Sequence, residues 1–493
     1  MWICPICSNE EINKYGCTVC GFDRTKDYLT FRTFALVPQV DIDALNQLFT
    51  GIHKENYSNG DWYEGEFKNG ICHGKGTYHY ANGDYYVGDF YEGKRHGQGV
   101  YYHNDGGVYE GSYAYDVRHG QGTFYYDAKH IFKGKWQDGK RTLGREIYSD
   151  GRAYEGDYLN GKRHGKGKFY FTNGCSFEGE WKEDQRIYGK EDFENGNSYQ
   201  GEYLNDKIHG KGIYHYANGE RYEGDFENGK RHGTGTYYYN NGCIYQGGYH
   251  NDVCHGYGKM TYTNGGRYEG RFENGKRHGG GVFYFSNGEV FRGTWENDQR
   301  VNGVETYDNG NRYEGSYKND VRHGKGRFFW KDGGSFDGQW FNGNRIYGTE
   351  KYADGDMYEG HYKNDVRHGQ GIYYHKKGER YVGEYADNVR HGEGEFFYTN
   401  GCTCKGTWKN GYRVRCRETY PNGDVYDGEY FEGKHQGKGI YYYANGNRYE
   451  GEFHDNKRHG QGAMYYINGH KDEGEWKDDK FIKKGIFDKI FKK

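Results

Sequence analysis

Two cysteine pairs open the chain, Cys4-Pro-Ile-Cys7 and, after nine intervening residues, Cys17-Thr-Val-Cys20. Each short turn delivers two thiolates, and four thiolates close a tetrahedron on one Zn²⁺. The pattern predicts one structural zinc ion held by Cys4, Cys7, Cys17 and Cys20 in a ribbon-like segment, 1–24. All four ligand positions are filled, so none is open for catalysis. A disulfide pair is the weaker alternative. A redox pair is weaker still, because no βαβ pattern surrounds it. The other cysteines, Cys72, Cys175, Cys243, Cys254, Cys402, Cys404 and Cys416, read as structural thiols of a reducing compartment.

Two further sets of ionisable residues recur downstream. Histidines before glycine form a row: His73, His96, His119, His164, His209, His232, His255, His278, His323, His368, His391 and His459, with Gln436 substituting once. Neighbours ~10 Å apart cannot share a metal within one chain. A hydrogen bond that closes a loop is the expected role, and zinc shared between two associated arrays is the alternative. Beside them runs a basic row: Lys94, Arg95, Arg118, Lys162, Arg163, Lys230, Arg231, Lys276, Arg277, Arg322, Arg367, Arg390, Lys457 and Arg458. It reads either as a solvated edge compensated by glutamates or as a multivalent site for a protein partner or anionic lipid. Each basic residue near an anionic surface contributes about 1 kcal/mol. The net charge of −3 supplies no global field for nucleic acid.

These rows are carried by a repeat. An aromatic-x-Gly step places glycines at Gly65, Gly88, Gly111, Gly134, Gly156, Gly179, Gly201, Gly224, Gly247, Gly270, Gly293, Gly315, Gly338, Gly360, Gly383, Gly406, Gly428, Gly451 and Gly474. These are 19 units, each 22 or 23 residues after the last. Aromatics are 19% of the chain and aliphatics scarce, so burial must come from a thin layer of rings. Each unit reads as a β-hairpin. In the first, Tyr63, Gly65 and Phe67 share one face by period-two alternation, and Gly76, Tyr78 and Tyr80 share it on the second strand. The expected register sets Phe67 opposite Gly76, Gly65 opposite Tyr78 and Tyr63 opposite Tyr80, with a loop through His73-Gly74. Rings then lie over glycines, leaving one aromatic and one polar face. The expected fold is all-β: an elongated, twisted single-layer antiparallel sheet of roughly 38 strands, at ~10 Å per repeat.

Six units carry tryptophan: Trp136, Trp181, Trp295, Trp340, Trp408 and Trp476. The first five lose the His-Gly, exchange the opening tyrosine for Phe132, Phe177, Phe291, Phe336 or Cys404, and gain Glu146, Glu191, Glu305, Glu350 or Glu418. An indole N–H reaching that carboxylate is the expected reason; glutamates attracting a cationic ligand are the alternative. At the ends, 25–56 reads as a linker with a capping helix, Asp41 to Phe49, before an array at 57–480. The basic tail 481–493 reads as a C-terminal helix that caps the last strand or docks on a membrane surface.

The unit Tyr-Glu-Gly-x-Phe-x-Asn-Gly-Lys-x-His-Gly-x-Gly-x-Tyr-x-x-x-Asn-Gly resembles the MORN repeat over about 85% of the chain. The resemblance implies stacked hairpins that act as scaffolds, as self-associating or partner-binding rods, or as links to acidic phospholipids. An enzyme or regulatory subunit of one would be implied only by the family's neighbours. No kinase or SET-like segment is present, and Gly74-x-Gly76 precedes a strand rather than a helix, unlike a phosphate cradle. The sequence therefore points to a non-enzymatic scaffold for protein–protein interaction or self-association. A tether to phosphoinositides is the main alternative. The expected location is cytoplasmic, or peripheral at the inner face of a membrane, with no small-molecule substrate.

Overall fold

A computed structural model describes residues 12–13, 16–17, 52–68 and 70–482. The predicted ligands Cys4, Cys7 and Cys20, the capping helix at 41–49 and the tail from 483 lie outside the described residues. Cys17 falls in a two-residue strand, Gly16–Cys17, paired with Ile12–Asn13. Phe481, where the tail helix was expected to begin, lies instead in the strand Lys480–Phe481.

The chain divides into two compact units, Met1–Val253 and Cys254–Lys493. The first holds a sheet of eighteen strands, from Ile52–Asn56 to Ile244–His250. The second holds twenty-one, from Val253–Thr261 to Lys480–Phe481. Within each sheet the strands pair antiparallel in chain order. Neither sheet closes on itself: among the described residues Ile52–Asn56 pairs only with the strand Trp62–Lys68, and Lys480–Phe481 only with Lys471–Lys477. No helix covers either sheet among the described residues.

The unit beginning at Tyr222 shows how sequence becomes hairpin. Strand Arg221–Glu227 turns at Asn228-Gly229, whose φ angles of 50° and 84° fit a two-residue hairpin turn with the right-handed strand twist. Strand Lys230–Tyr238 returns. Tyr222 pairs with Tyr237 and Gly224 with Gly235, after which the register jumps to Phe226 opposite Arg231. The expected register is therefore corrected by two residues, and in the first unit Gly65 faces Gly76 rather than Tyr78. The physical reason is that His-Gly is a bulge inside the second strand, not a loop. His232, Gly233 and Thr234 together oppose Asp225 alone, and Gly233 takes the left-handed φ of 59° that lets the strand swell.

The glycine pair and the ring make one device. A Cβ on Gly235 would meet the Tyr222 hydroxyl at 2.3 Å, and one on Gly224 would meet the Gly235 Cα at 2.5 Å. The ring thus lies flat across two facing glycines, and Tyr222 is fully buried in a sheet one layer thick.

The same ring explains why long and short units differ. The Tyr222 hydroxyl donates to the carbonyl of Asp225, the residue that the bulge leaves outside the ladder. All thirteen opening tyrosines make this bond: Tyr63, Tyr86, Tyr109, Tyr154, Tyr199, Tyr222, Tyr245, Tyr268, Tyr313, Tyr358, Tyr381, Tyr426 and Tyr449. In a short unit the bulge shrinks. Glu180 stays in register with Tyr188, and only Ile187 is extra before Trp181 meets Arg186. A hydroxyl would have no orphaned carbonyl to serve there, so phenylalanine suffices. Loss of His-Gly and loss of the tyrosine hydroxyl are one change. Tyr222→Phe should therefore destabilise its hairpin by about 1 kcal/mol, the worth of one hydrogen bond. Amide exchange across Lys230–Tyr238 should rise about fivefold, whereas Phe177→Tyr should bring no gain.

Candidate functional site

The five exchanged glutamates do not meet the indoles. Trp136, Trp181, Trp340 and Trp476 donate from Nε1 to the carbonyls of Gly122, Gly167, Gly326 and Gly462 on the preceding strand. This corrects the expected indole–carboxylate contact. Each glutamate is instead held by an arginine five residues before it and a tyrosine from the next unit. Arg141 Nη1 lies 2.7 Å from Glu146 and the Tyr158 hydroxyl 2.9 Å. Arg186 and Tyr203 hold Glu191, Arg300 and Tyr317 hold Glu305, Arg345 and Tyr362 hold Glu350, and Arg413 and Tyr430 hold Glu418. The unit after every short one accordingly carries tyrosine at its second ring. Burial alone would raise the Glu418 carboxyl, but His435, Tyr430, Arg413 and Tyr420 together bring it down to about 2. These carboxylates are occupied, and no cationic ligand is needed to account for them.

The basic row divides by strand alternation. Arg95, Arg163, Arg231, Arg277 and Arg458 turn to the ring face. Each clasps the aspartate of the next hairpin turn, Asp116, Asp184, Asp252, Asp298 or Asp479, at 3.0–3.2 Å. For Arg231 the clasp is threefold: backbone N–H and Nε to Asp252 Oδ1, and Nη2 to its carbonyl at 2.7 Å. The guanidinium also sits over Tyr237, at 5.0 Å. Only about 20% of its side chain is exposed. Lys94, Lys162, Lys230, Lys276 and Lys457, one residue earlier, point to the polar face and are exposed.

Six of the twelve histidines depart from expectation. The Nδ1 atoms of His96, His164, His232, His323, His368 and His459 are buried without a hydrogen-bond partner, so none of them closes a loop from that atom. The acid opposite the bulge closes it, with the Thr234 and Gln98 amides donating to Asp225 and Asp89. The rings pack against the hairpin tips, His96 on Tyr91 and Tyr115, and His323 on Phe341. Among the described residues no cluster of three or more His, Cys, Asp or Glu could hold a metal. Cys404 and Cys416 are bonded to each other, which corrects their reading as structural thiols. They replace the ring and the second-strand glycine of one unit, so the sulfurs occupy the slot that a ring fills elsewhere.

The polar face is where the repeats differ from one another. Arg145–Glu155, Lys168–Glu178 and Lys211–Asp225 pair across strands there at 2.9–3.2 Å. Where short residues intervene, a trough of about 780 Å³ opens among Gln200, Glu202, Ile213, Glu223, Thr234, Thr236 and Gln246, with Tyr188 and Tyr238 at its rim. Earlier in the first unit one row of this face is apolar. Trp62, His79, Tyr85, Tyr102, Val108, Tyr125, Ile131, Ile147, Ala153 and Tyr170 are consecutive cross-strand neighbours. Sequence reasoning missed this row. The signal was Trp62 beside Tyr63, since adjacent strand residues cannot share a face.

A family model described as MORN repeat matches fifteen segments, lying within 63–128, 154–176, 199–335 and 358–471. Together these cover more than two thirds of the chain. The gaps fall on three of the five short units and the last one, where the structure shows the same hairpin architecture. No curated protein matches. Among solved structures, the chain is similar to the TCP10 domain of Danio rerio CPAP in complex with a peptide of Danio rerio STIL, at 14% identity and a TM-score of 0.17 over 44% of this chain and 92% of that one. It is also similar to virginiamycin B lyase from Staphylococcus aureus, at 10% identity and a TM-score of 0.11 over 57% and 89%. Likenesses of this size say nothing about what this chain does.

Proposed function

The chain belongs to the MORN-repeat family, and from that premise we propose that it is a non-enzymatic scaffold whose polar face receives protein partners, or further copies of itself. The observation that carries this reading is the division of the basic row. Five of its nine arginines are bound into the ring face by the aspartates of the next turn, and Arg367 by Asn388. Arg118, Arg322 and Arg390 lie over Trp136, Trp340 and Trp408 at 4.4–4.5 Å. What each repeat offers outward is a polar face whose charges largely pair across strands, with troughs and apolar stretches that vary from repeat to repeat. Such a surface suits shape-specific protein contacts better than adhesion to a charged plane. The buried ionisable groups, such as Glu146 and Glu418, are engaged in holding the sheet.

The competing reading, a tether to acidic phospholipids through the lysines and the basic tail, is tested by flotation. Full-length protein is mixed with neutral vesicles and with phosphoinositide-containing vesicles at low and high salt. The scaffold reading expects no anionic-lipid binding that salt abolishes, and no change when Lys94, Lys162, Lys230, Lys276 and Lys457 are replaced by glutamate. Salt-sensitive flotation lost in that variant would replace it with the tether.

A further inference from the structure

We propose that the apolar row on the polar face of the first unit is the docking surface for a proline-rich segment of a partner protein, held in polyproline II conformation and running across the strands. This rests on the scaffold reading and names the ligand class for one stretch of its surface.

Geometry and complementarity argue for that ligand. Trp62, His79, Tyr85 and Tyr102 stand as a stack, with ring centroids 3.7, 5.3 and 4.3 Å apart and planes within 20° of parallel. They are half-buried by one another, and Lys54 Nζ lies over the Trp62 ring at 3.8 Å, so the open part of the stack is His79, Tyr85 and Tyr102. Two strands per repeat advance the row by roughly 9.6 Å. A polyproline II helix rises about 3.1 Å per residue with three residues per turn, or roughly 9.3 Å per turn. One turn of ligand therefore matches one repeat of the array, and every third residue meets an equivalent position. A strand alternates its faces with period two, and an α-helix repeats every 5.4 Å or so, so neither keeps step.

The row also bears no carboxylate, lysine or arginine from Trp62 to Tyr170. The hydroxyls of Tyr85, Tyr102 and Tyr125 and the Trp62 indole N–H make no hydrogen bond among the described residues. A proline-rich segment matches them by offering carbonyl acceptors and few amide donors. Glu64 and Glu110 flank the row on the same face; Lys54 stands opposite Glu64, whereas Glu110 lies between Val100 and Thr123 and is in no ion pair among the described residues. The segment that fits thus carries arginine or lysine beside its prolines.

The test is fluorescence anisotropy with full-length protein and a labelled peptide of about twelve residues, prolines interspersed with arginine. A glycine–serine peptide with the same arginines is the control. The proline probe should bind at least about tenfold tighter than the control, and Tyr85→Ala with Tyr102→Ala should weaken it by at least about tenfold. Tyr102→Phe, which keeps the ring and removes only the donor, should weaken it a few-fold with unchanged circular dichroism. Glu110→Arg should weaken it as well. Equal binding of the control, or binding indifferent to the tyrosines, would overturn the proposal. So would self-association, seen by sedimentation, that the double alanine variant abolishes, because the row would then belong to a second copy. Flotation of the same preparations keeps the failures apart: salt-sensitive lipid binding would remove the scaffold reading, whereas a failed peptide titration alone would remove only this ligand.

Discussion

Glu418→Ala should destabilise the second unit by about 3–5 kcal/mol, the cost of removing one partner from a buried, hydrogen-bonded ion pair. Its carboxylate accepts from Tyr420 and Tyr430 at 2.9 and 2.6 Å, and Arg413 lies 3.4 Å away. Truncation would leave a half-buried guanidinium and two hydroxyls without their acceptor. Glu418→Gln should cost less, because an amide oxygen still accepts. The same group sets an acid limit. Its folded pKa, about 2, lies below its ordinary value of 4.5, so its contribution is complete above pH 4.5 and is lost as pH falls toward 2. The loss should reach about 3 kcal/mol from this site. Urea titrations of wild type and Glu418→Ala between pH 6 and about pH 3 check both points. A variant as stable as wild type at pH 6 would show that the carboxylate is not held as described.

Gly224→Ala should cost about 3 kcal/mol, at the upper end for overpacking. The new methyl group would lie 2.5 Å from the Gly235 Cα and 2.5 Å from the Thr234 carbonyl oxygen, and backbone cannot rotate aside. The matched control is Gly229→Ala in the turn. There φ is 84° but no atom lies within 4 Å, so only the backbone preference is lost, about 1 kcal/mol. Hydrogen exchange should localise the first defect to strands Arg221–Glu227 and Lys230–Tyr238. The array already contains one substitution of this kind. Cys416 stands where a second-strand glycine belongs, and in the same unit Cys404 has removed the ring that would have met it.

How legible this was in the sequence depends on which physical rule each element obeyed. Period, strand identity and the ring–glycine partnership follow from alternation, and all three are seen. The register erred by two because His-Gly looks like turn chemistry, whereas Gly233 uses its left-handed φ within a bulge. The coupling of Tyr222 to His-Gly could not be read, since it runs through a backbone carbonyl that carries no side-chain signature. The basic row was misread as one surface although Lys230 and Arg231 are adjacent in a strand and must face opposite ways. That error mattered most, because it decides what the repeats present.

Residue-resolved labelling of the native protein tests the division most directly. Lys94, Lys162, Lys230, Lys276 and Lys457 should acetylate freely. Arg95, Arg163, Arg231, Arg277 and Arg458 should react with a dicarbonyl reagent at least about tenfold more slowly than in the urea-unfolded chain. Arginines as reactive as in the unfolded chain would contradict the account: the row would stand free as a continuous basic stripe, and the polar face would be a surface for anions.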